Sequence, residues 1–144
     1  MLSHVPDLDR LAGAERAEQS RRDTRGNISR RIVQLHKEYY GRGPTRAKTY
    51  INGDLVVVLM RGGFTRVEET LLEEGRGDAV IAQRMDFQEV MADRFKQVIE
   101  EETDRKVLAM MSGSHQHPDL LGEMFVLEST DILDDEPRGS LVGD

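Results

Sequence analysis

Residues 112–120, S-G-S-H-Q-H-P-D-L, place two histidines and an aspartate within five positions of a chain that has 4 His and no Cys. In an extended segment His115 and His117 point to one side, and with Asp119 they offer two nitrogens and one oxygen to zinc or a similar cation. The bland reading of the same residues is a Ser/Gly-rich hairpin loop with exposed imidazoles, since Pro118 breaks regularity and Gly113 loosens the approach. Lys48 is a candidate for binding an anionic group. Gly75-Arg76-Gly77 precedes the positive end of a long helix, where an anion could meet Arg76 and free amides. One glycine ending a helix and the other giving room before the next accounts for that tripeptide structurally. Gly41 to Pro44 has the glycines of a phosphate loop but follows a helix and lacks the G-x-x-x-x-G-K-[ST] spacing. His36 reads as a surface or boundary residue, and Glu68-Glu69 and Glu100 to Glu102 as solvated helix faces. No Ser-His-Asp arrangement can be inferred.

The elements that must carry these residues are legible from periodicity. Asn27 is positioned to cap a helix whose apolar face is Ile28, Ile32, Leu35 and Tyr39, stopped by Gly41, Gly43 and Pro44. Lys48 to Ile51 and Leu55 to Met60 flank Asn52-Gly53, a pair that tolerates positive φ and so predicts a tight hairpin. Leu55 to Met60 is apolar at every position, which predicts an interior strand covered on both faces. Thr65 and Glu68 stand at capping-box spacing ahead of a short helix that buries Val67, Leu71 and Leu72 and ends at Gly75. A long helix from Asp78 to Thr103 carries Ile81, Met85, Gln88, Met91, Phe95 and Val98, a stripe that reads as core or dimer seam. Lys106 to Met111 and Glu123 to Glu128 read as a second hairpin. The fold class expected is α+β: two β-hairpins forming one four-stranded, mainly antiparallel sheet, with helices packed on one face and a long central helix.

The 144 residues suffice for one core: a flexible or partly helical N-terminal arm (1–25), a single α+β domain (26–129) and an acidic C-terminal tail (130–144). Without cysteine there is no disulfide, zinc-thiolate or thiol nucleophile, as suits a reducing cytosol. No apolar run reaches a membrane span and the N-terminus lacks a signal-peptide pattern, so a soluble, cytoplasmic protein without direct membrane insertion is expected. The net charge of -7 is uneven, with nine Lys/Arg against six Asp/Glu in residues 1–43 and eleven against twenty-one in residues 44–144. That distribution argues against nucleic acid as partner. No cofactor motif is present, and none is expected.

The runs K-E-Y-Y-G-R-G-P-T-R-A-K-T-Y-I-N-G-D-L-V-V-V-L, G-G-F-T-R-V-E-E-T-L-L-E-E-G-R-G, R-K-V-L-A-M-M-S-G-S-H and F-V-L-E closely resemble the small bacterial MpsC family, from about Ile28 to Glu128. Carried over by position, the pattern falls on Gly41, Arg42, Gly43, Pro44, Ala47, Lys48, Gly75, Arg76, Gly77, Ser112 and His115. This makes Arg42, Lys48, Arg76 and His115 the ligand-binding candidates. Asp104 stands where relatives would have a glycine, which predicts a strained helix end. His117 stands where they would have an acidic or polar residue, which weakens a family metal site at His115, His117 and Asp119. The resemblance implies association with a sodium-translocating, membrane-potential-generating system linked to bicarbonate uptake, and it implies no catalytic mechanism. The expected function is a non-enzymatic accessory or regulatory binding protein, peripheral to the membrane through partner transport proteins. The alternative is a small-ligand or metal-binding enzyme using the Lys48, His115 and Asp119 region. A homodimer is also expected. A helix from Asp78 to Thr103 runs about 39 Å and overhangs strands of about 20 to 23 Å, so a two-fold mate could cover Met85, Met91, Phe95 and Val98.

Overall fold

The computed structural model describes residues 7–129. Helix α1 (Leu8–Tyr40) leads into strands β1 (Arg46–Asn52) and β2 (Leu55–Arg61). Helices α2 (Arg66–Glu73) and α3 (Gly77–Thr103) follow, and then strands β3 (Val107–His115) and β4 (Leu120–Leu127). The strands form one antiparallel sheet in the order β1-β2-β4-β3, which puts both hairpins side by side with β2 and β4 in the middle. The α+β expectation of two hairpins, one sheet and helices on a single face is what the chain forms. Ile28 and Ile32 of α1 and Met91, Phe95, Val98 and Ile99 of α3 pack on Val56, Val58 and Met60 of β2 and on Leu121, Phe125 and Leu127 of β4. The acidic tail expected at 130–144 lies outside the described residues.

Several local readings need correction. Helix α1 does not begin at Asn27: its cap is Asp7, whose carboxylate accepts from the Arg10 amide at 3.0 Å. The expectation rested on the lack of apolar residues in the preceding segment, but this segment is helical through its own side-chain pairs. Glu18 meets Arg21 at 2.8 Å, and Gln19 donates to Asp23 at 2.9 Å. Asn27 instead donates to Glu102 at 3.1 Å, beside the Arg31–Glu101 and Arg31–Glu102 pairs at 2.5 and 3.0 Å, so Glu101 and Glu102 tie α3 to α1. The buried line on α1 runs through His36, while Tyr39 faces outward under the Arg94 guanidinium. The first hairpin turns on Gly53-Asp54, one residue later than expected, with Asn52 and Leu55 paired and Gly53 at φ 62°.

Asp104 ends α3 at φ 55°, the one positive φ outside glycine among the described residues. A Cβ in the left-handed region costs about 1 kcal/mol, and glycine removes that cost while adding backbone entropy to the unfolded chain. Asp104→Gly is therefore expected to raise the unfolding free energy by about 0.5 kcal/mol, read as a higher urea midpoint at unchanged slope.

Candidate functional site

The chemistry-bearing residues fall in two places, one inside the fold and one on the open face of the sheet. The interior group begins at α2, where the capping box is formed: Thr65 Oγ1 accepts from the Glu68 amide at 3.1 Å and Glu68 Oε1 accepts from the Thr65 amide at 2.9 Å. The box turns Glu68 inward, and its exposure is 0%. The buried side of α2 is thus this carboxylate and not Val67, which is exposed, and Glu68 is no solvated acid. Arg84 of α3, itself buried, donates to Glu68 through Nε (2.8 Å) and Nη2 (3.1 Å), and through Nη1 to Asp119 at 2.7 Å. The Tyr40 hydroxyl donates to the same Glu68 carboxylate and accepts from Gln83 at 2.9 Å. The Phe64 ring lies 4.5 Å from the guanidinium carbon.

These contacts fix the charge states. Burial pulls against ionisation of Arg84, but Glu68 and Asp119 hold its pKa above the usual arginine range. Burial likewise opposes the Glu68 anion, and the Arg84, Tyr40 and Thr65 hydrogen bonds outweigh it and hold the carboxyl below its usual range. Burial, joined by the Glu68 hydrogen bond, pushes the Tyr40 hydroxyl up to about 12. His36 is buried rather than at the boundary: its ring stacks on Phe95 with centroids 5.3 Å apart, and Nδ1 donates to the Ile32 carbonyl at 2.9 Å. Burial lowers its pKa, so it is neutral. The cavity among His36, Tyr40, Arg84 and Gln88 measures about 10 Å³, the room of about one water molecule. A substrate does not fit, and the group serves to clasp α1, α2, α3 and the β3–β4 turn together.

A second buried carboxylate, Glu123, lies on the inner face of β4. It accepts from Gln88 at 3.0 Å and from the Ser112 hydroxyl, and among the described residues no cation pairs with it. Burial pushes its pKa up to about 7 against those two hydrogen bonds.

The sequence-derived candidates do not converge. β3 and β4 extend further than expected, so His115 is a strand residue paired with Leu120, and the turn shrinks to 116–119. His115 Nδ1 donates to the Pro118 carbonyl at 2.8 Å, His117 is exposed, and Asp119 is engaged by Arg84. Among the described residues no group of three His, Asp or Glu side chains is placed to hold a metal ion. Lys48 on β1 and His115 on β3 share the outer face but are three strand spacings apart, about 14 Å. Arg42, at the end of α1, donates to the Phe64 carbonyl at 3.1 Å. Arg76 caps α3 at a different place, where Gln116 donates to the Gly77 carbonyl at 2.9 Å.

Among the described residues no helix lies on the outer face of the sheet. The register puts Lys48 and Tyr50 of β1, Leu55, Val57 and Leu59 of β2, Met124 and Val126 of β4, and Met111 of β3 on this side. β2 is central as expected, but only its Val56, Val58 and Met60 side is fully covered. Tyr50 (47%) and Met111 (54%) stand exposed on this face, and Leu108, left over at a register shift in β3, is 62% exposed. Gly113 pairs with Gly122, and the missing side chains leave a trough of about 410 Å³ walled by Val57, Met111, Leu120, Met124 and His115. The strand cations Arg46, Lys48 and Arg61 gather at one corner, and no ion pair among the described residues uses them. Glu123, the one strand carboxylate, points inward. This face is apolar across its centre, with cations at one corner. Sequence reasoning missed it because an all-apolar β2 looks the same whether its second side meets a helix or a partner.

The stripe proposed as a dimer seam is also accounted for: Met91, Phe95 and Val98 are buried within the subunit, and Met85 stands outside on the exposed side. No helix among the described residues is long and apolar enough to cross a membrane. A family model described as the Na+-translocating membrane potential-generating system (MpsC) matches residues 20–129. No curated protein and no solved structure matches the chain.

Proposed function

Since the chain belongs to the MpsC family of the Na+-translocating membrane potential-generating system, we propose that it is a non-enzymatic accessory subunit that docks on a protein of that system through the outer face of its sheet. The observation that carries this reading is the sheet face that the described residues leave uncovered, with apolar Val57, Leu59, Met111 and Met124 and the cations Arg46, Lys48 and Arg61 on it. The buried ionisable groups favour it too, since Arg84 and Glu68 are held by internal partners around a cavity too small for a substrate. Attachment is peripheral, and the link to bicarbonate uptake belongs to the transport partner. Dimerisation through α3 has no part in this reading, because Phe95 and its neighbours are covered within the subunit.

The test is co-isolation of the chain with the membrane proteins of the Na+ system, comparing wild type with Val57→Glu and Met124→Glu. A charge on a half-exposed sheet position leaves the fold within about 1 kcal/mol, whereas one buried unpaired in an interface costs several-fold more. Wild type is expected to co-isolate and both variants to lose at least tenfold, with unchanged thermal melts. If wild type fails to co-isolate under every condition in which transport operates, the partner reading falls.

A further inference from the structure

We propose that two copies of this chain pair through the free edge of β3, extending the four-stranded sheet across a two-fold axis at Ser112. The inference goes beyond the docking reading above and uses a different surface.

The edge follows from the alternation of the backbone. The Leu127 amide donates to the Asp54 carbonyl, on the β2 side of β4, and the Glu128 amide to the Lys106 carbonyl, on the β3 side. Backbone groups change sides at each residue, so Leu120, Gly122, Met124 and Val126 turn theirs to β3. Their partners His115, Gly113, Met111 and Ala109 answer them. The N–H and C=O groups of Met110, Ser112 and Ser114 are therefore turned out of the sheet. Among the described residues no strand lies beyond β3. An open edge is a template for another strand, and proteins guard such edges with charges or proline. The opposite edge, β1, has Arg46 and Lys48. β3 reads V-L-A-M-M-S-G-S-H, without lysine, arginine, acid or proline.

Side chains select the occupant and the register. In an antiparallel pair of two copies the outward groups must oppose one another, so Ser112 meets Met110, Ser112 or Ser114 of the other copy. Ser112 opposite Ser112 uses the outward groups of all three residues. It also sets Met111 of each copy against Gly113 of the other on the outer face. Met111 is 54% exposed. A side chain at Gly113 would meet no atom within 4 Å, and the trough of about 410 Å³ there is walled by Val57, Leu120 and Met124. A projecting methionine thus seats where a side chain is missing, once on each side of the axis. The registers one step to either side set Met111 on Met111 or Gly113 on Gly113 and lose this fit. An uncharged seam also sets no like charges opposite each other. A strand of another protein would find the same backbone groups, whereas both the knob and the hollow are supplied by this chain.

Sedimentation of the full wild-type chain at micromolar concentration is expected to give twice its mass of 16.3 kDa. Gly113→Glu, which has room to fold, puts a charge in the hollow and should give a monomer with an unchanged circular-dichroism spectrum. The absence of cysteine lets the register be read directly, and decides the matter should that variant not fold. Met111→Cys and Gly113→Cys chains, mixed and mildly oxidised, should join to each other at least tenfold faster than either joins to itself. Opposed Cα atoms lie about 4.5 Å apart in such a pair, while two copies of either residue are about 8 Å apart, out of disulfide reach. A wild-type monomer at every micromolar concentration overturns the proposal, as does a dimer that survives Gly113→Glu. Mixed chains that crosslink no faster than single ones overturn it too. Arg46, Lys48, Leu59 and Arg61 lie on β1 and β2, away from the seam, so the docking reading outlives each of these results.

Discussion

Arg84→Met is expected to lower the unfolding free energy by about 3 to 5 kcal/mol. The guanidinium gives three hydrogen bonds, two to Glu68 and one to Asp119, and is replaced by an apolar chain of similar length. Both carboxylates then stay in place without a cation, Glu68 at 0% exposure, and the penalty is that of a buried unpaired charge rather than of the lost contacts alone. Arg84→Lys keeps the charge and loses the fork, and should fall between the two. The loss depends on pH. Glu68 has a folded pKa depressed below its ordinary 4.5, so its ionic stabilisation is present above pH 4.5 and is lost as pH falls through the folded value. The gap between wild type and Arg84→Met should therefore narrow below about pH 4.5. Urea unfolding at pH 7 and at pH 4 measures both.

Glu123→Gln is expected to do the opposite. The buried carboxyl has a folded pKa of about 7 against an ordinary 4.5. Between those values the folded chain holds a proton that the unfolded chain has released. The stability of the protonated form is complete below pH 4.5 and is lost as pH rises through 7. Glutamine keeps the shape, accepts from Gln88 and can donate to the Ser112 hydroxyl, without a charge to bury. At pH 8 the variant should be more stable than wild type by about 3 kcal/mol, from about 1.4 kcal/mol per pKa unit, and near pH 4.5 the two should agree. Equal stabilities at pH 8 would mean that Glu123 is ionised at no cost.

The two carboxylates also show what the sequence could and could not disclose. Strand pairing, the capping box of Thr65 and Glu68 and the run of Met91, Phe95 and Val98 were legible because each follows from local spacing. The inward turn of Glu68 was not, since an acid near a helix start has the same local signature whether it meets water or Arg84 sixteen residues later. Arg84 and Gln88 replace apolar residues on the buried side of α3, while Ile81 and Met85 lie outside, so a hydrophobic stripe misassigns the first half of that helix. The S-G-S-H-Q-H-P-D-L stretch attracted a metal reading by proximity in sequence, yet its aspartate is turned inward to Arg84 and His115 stands on the outer face. Among the site candidates, only Lys48 and His115 share the outer face, and the apolar residues between them carried no motif.

The central claim is that the uncovered sheet face is where this protein acts. The most direct measurement is the Na+-dependent membrane potential, with bicarbonate uptake alongside, in cells that lack the chain and are complemented with wild type or with Met124→Glu. Matched abundance and matched melting temperature show that the variant is folded. The account predicts that wild type restores the potential and the folded variant does not. Full restoration by Met124→Glu at matched abundance would contradict it.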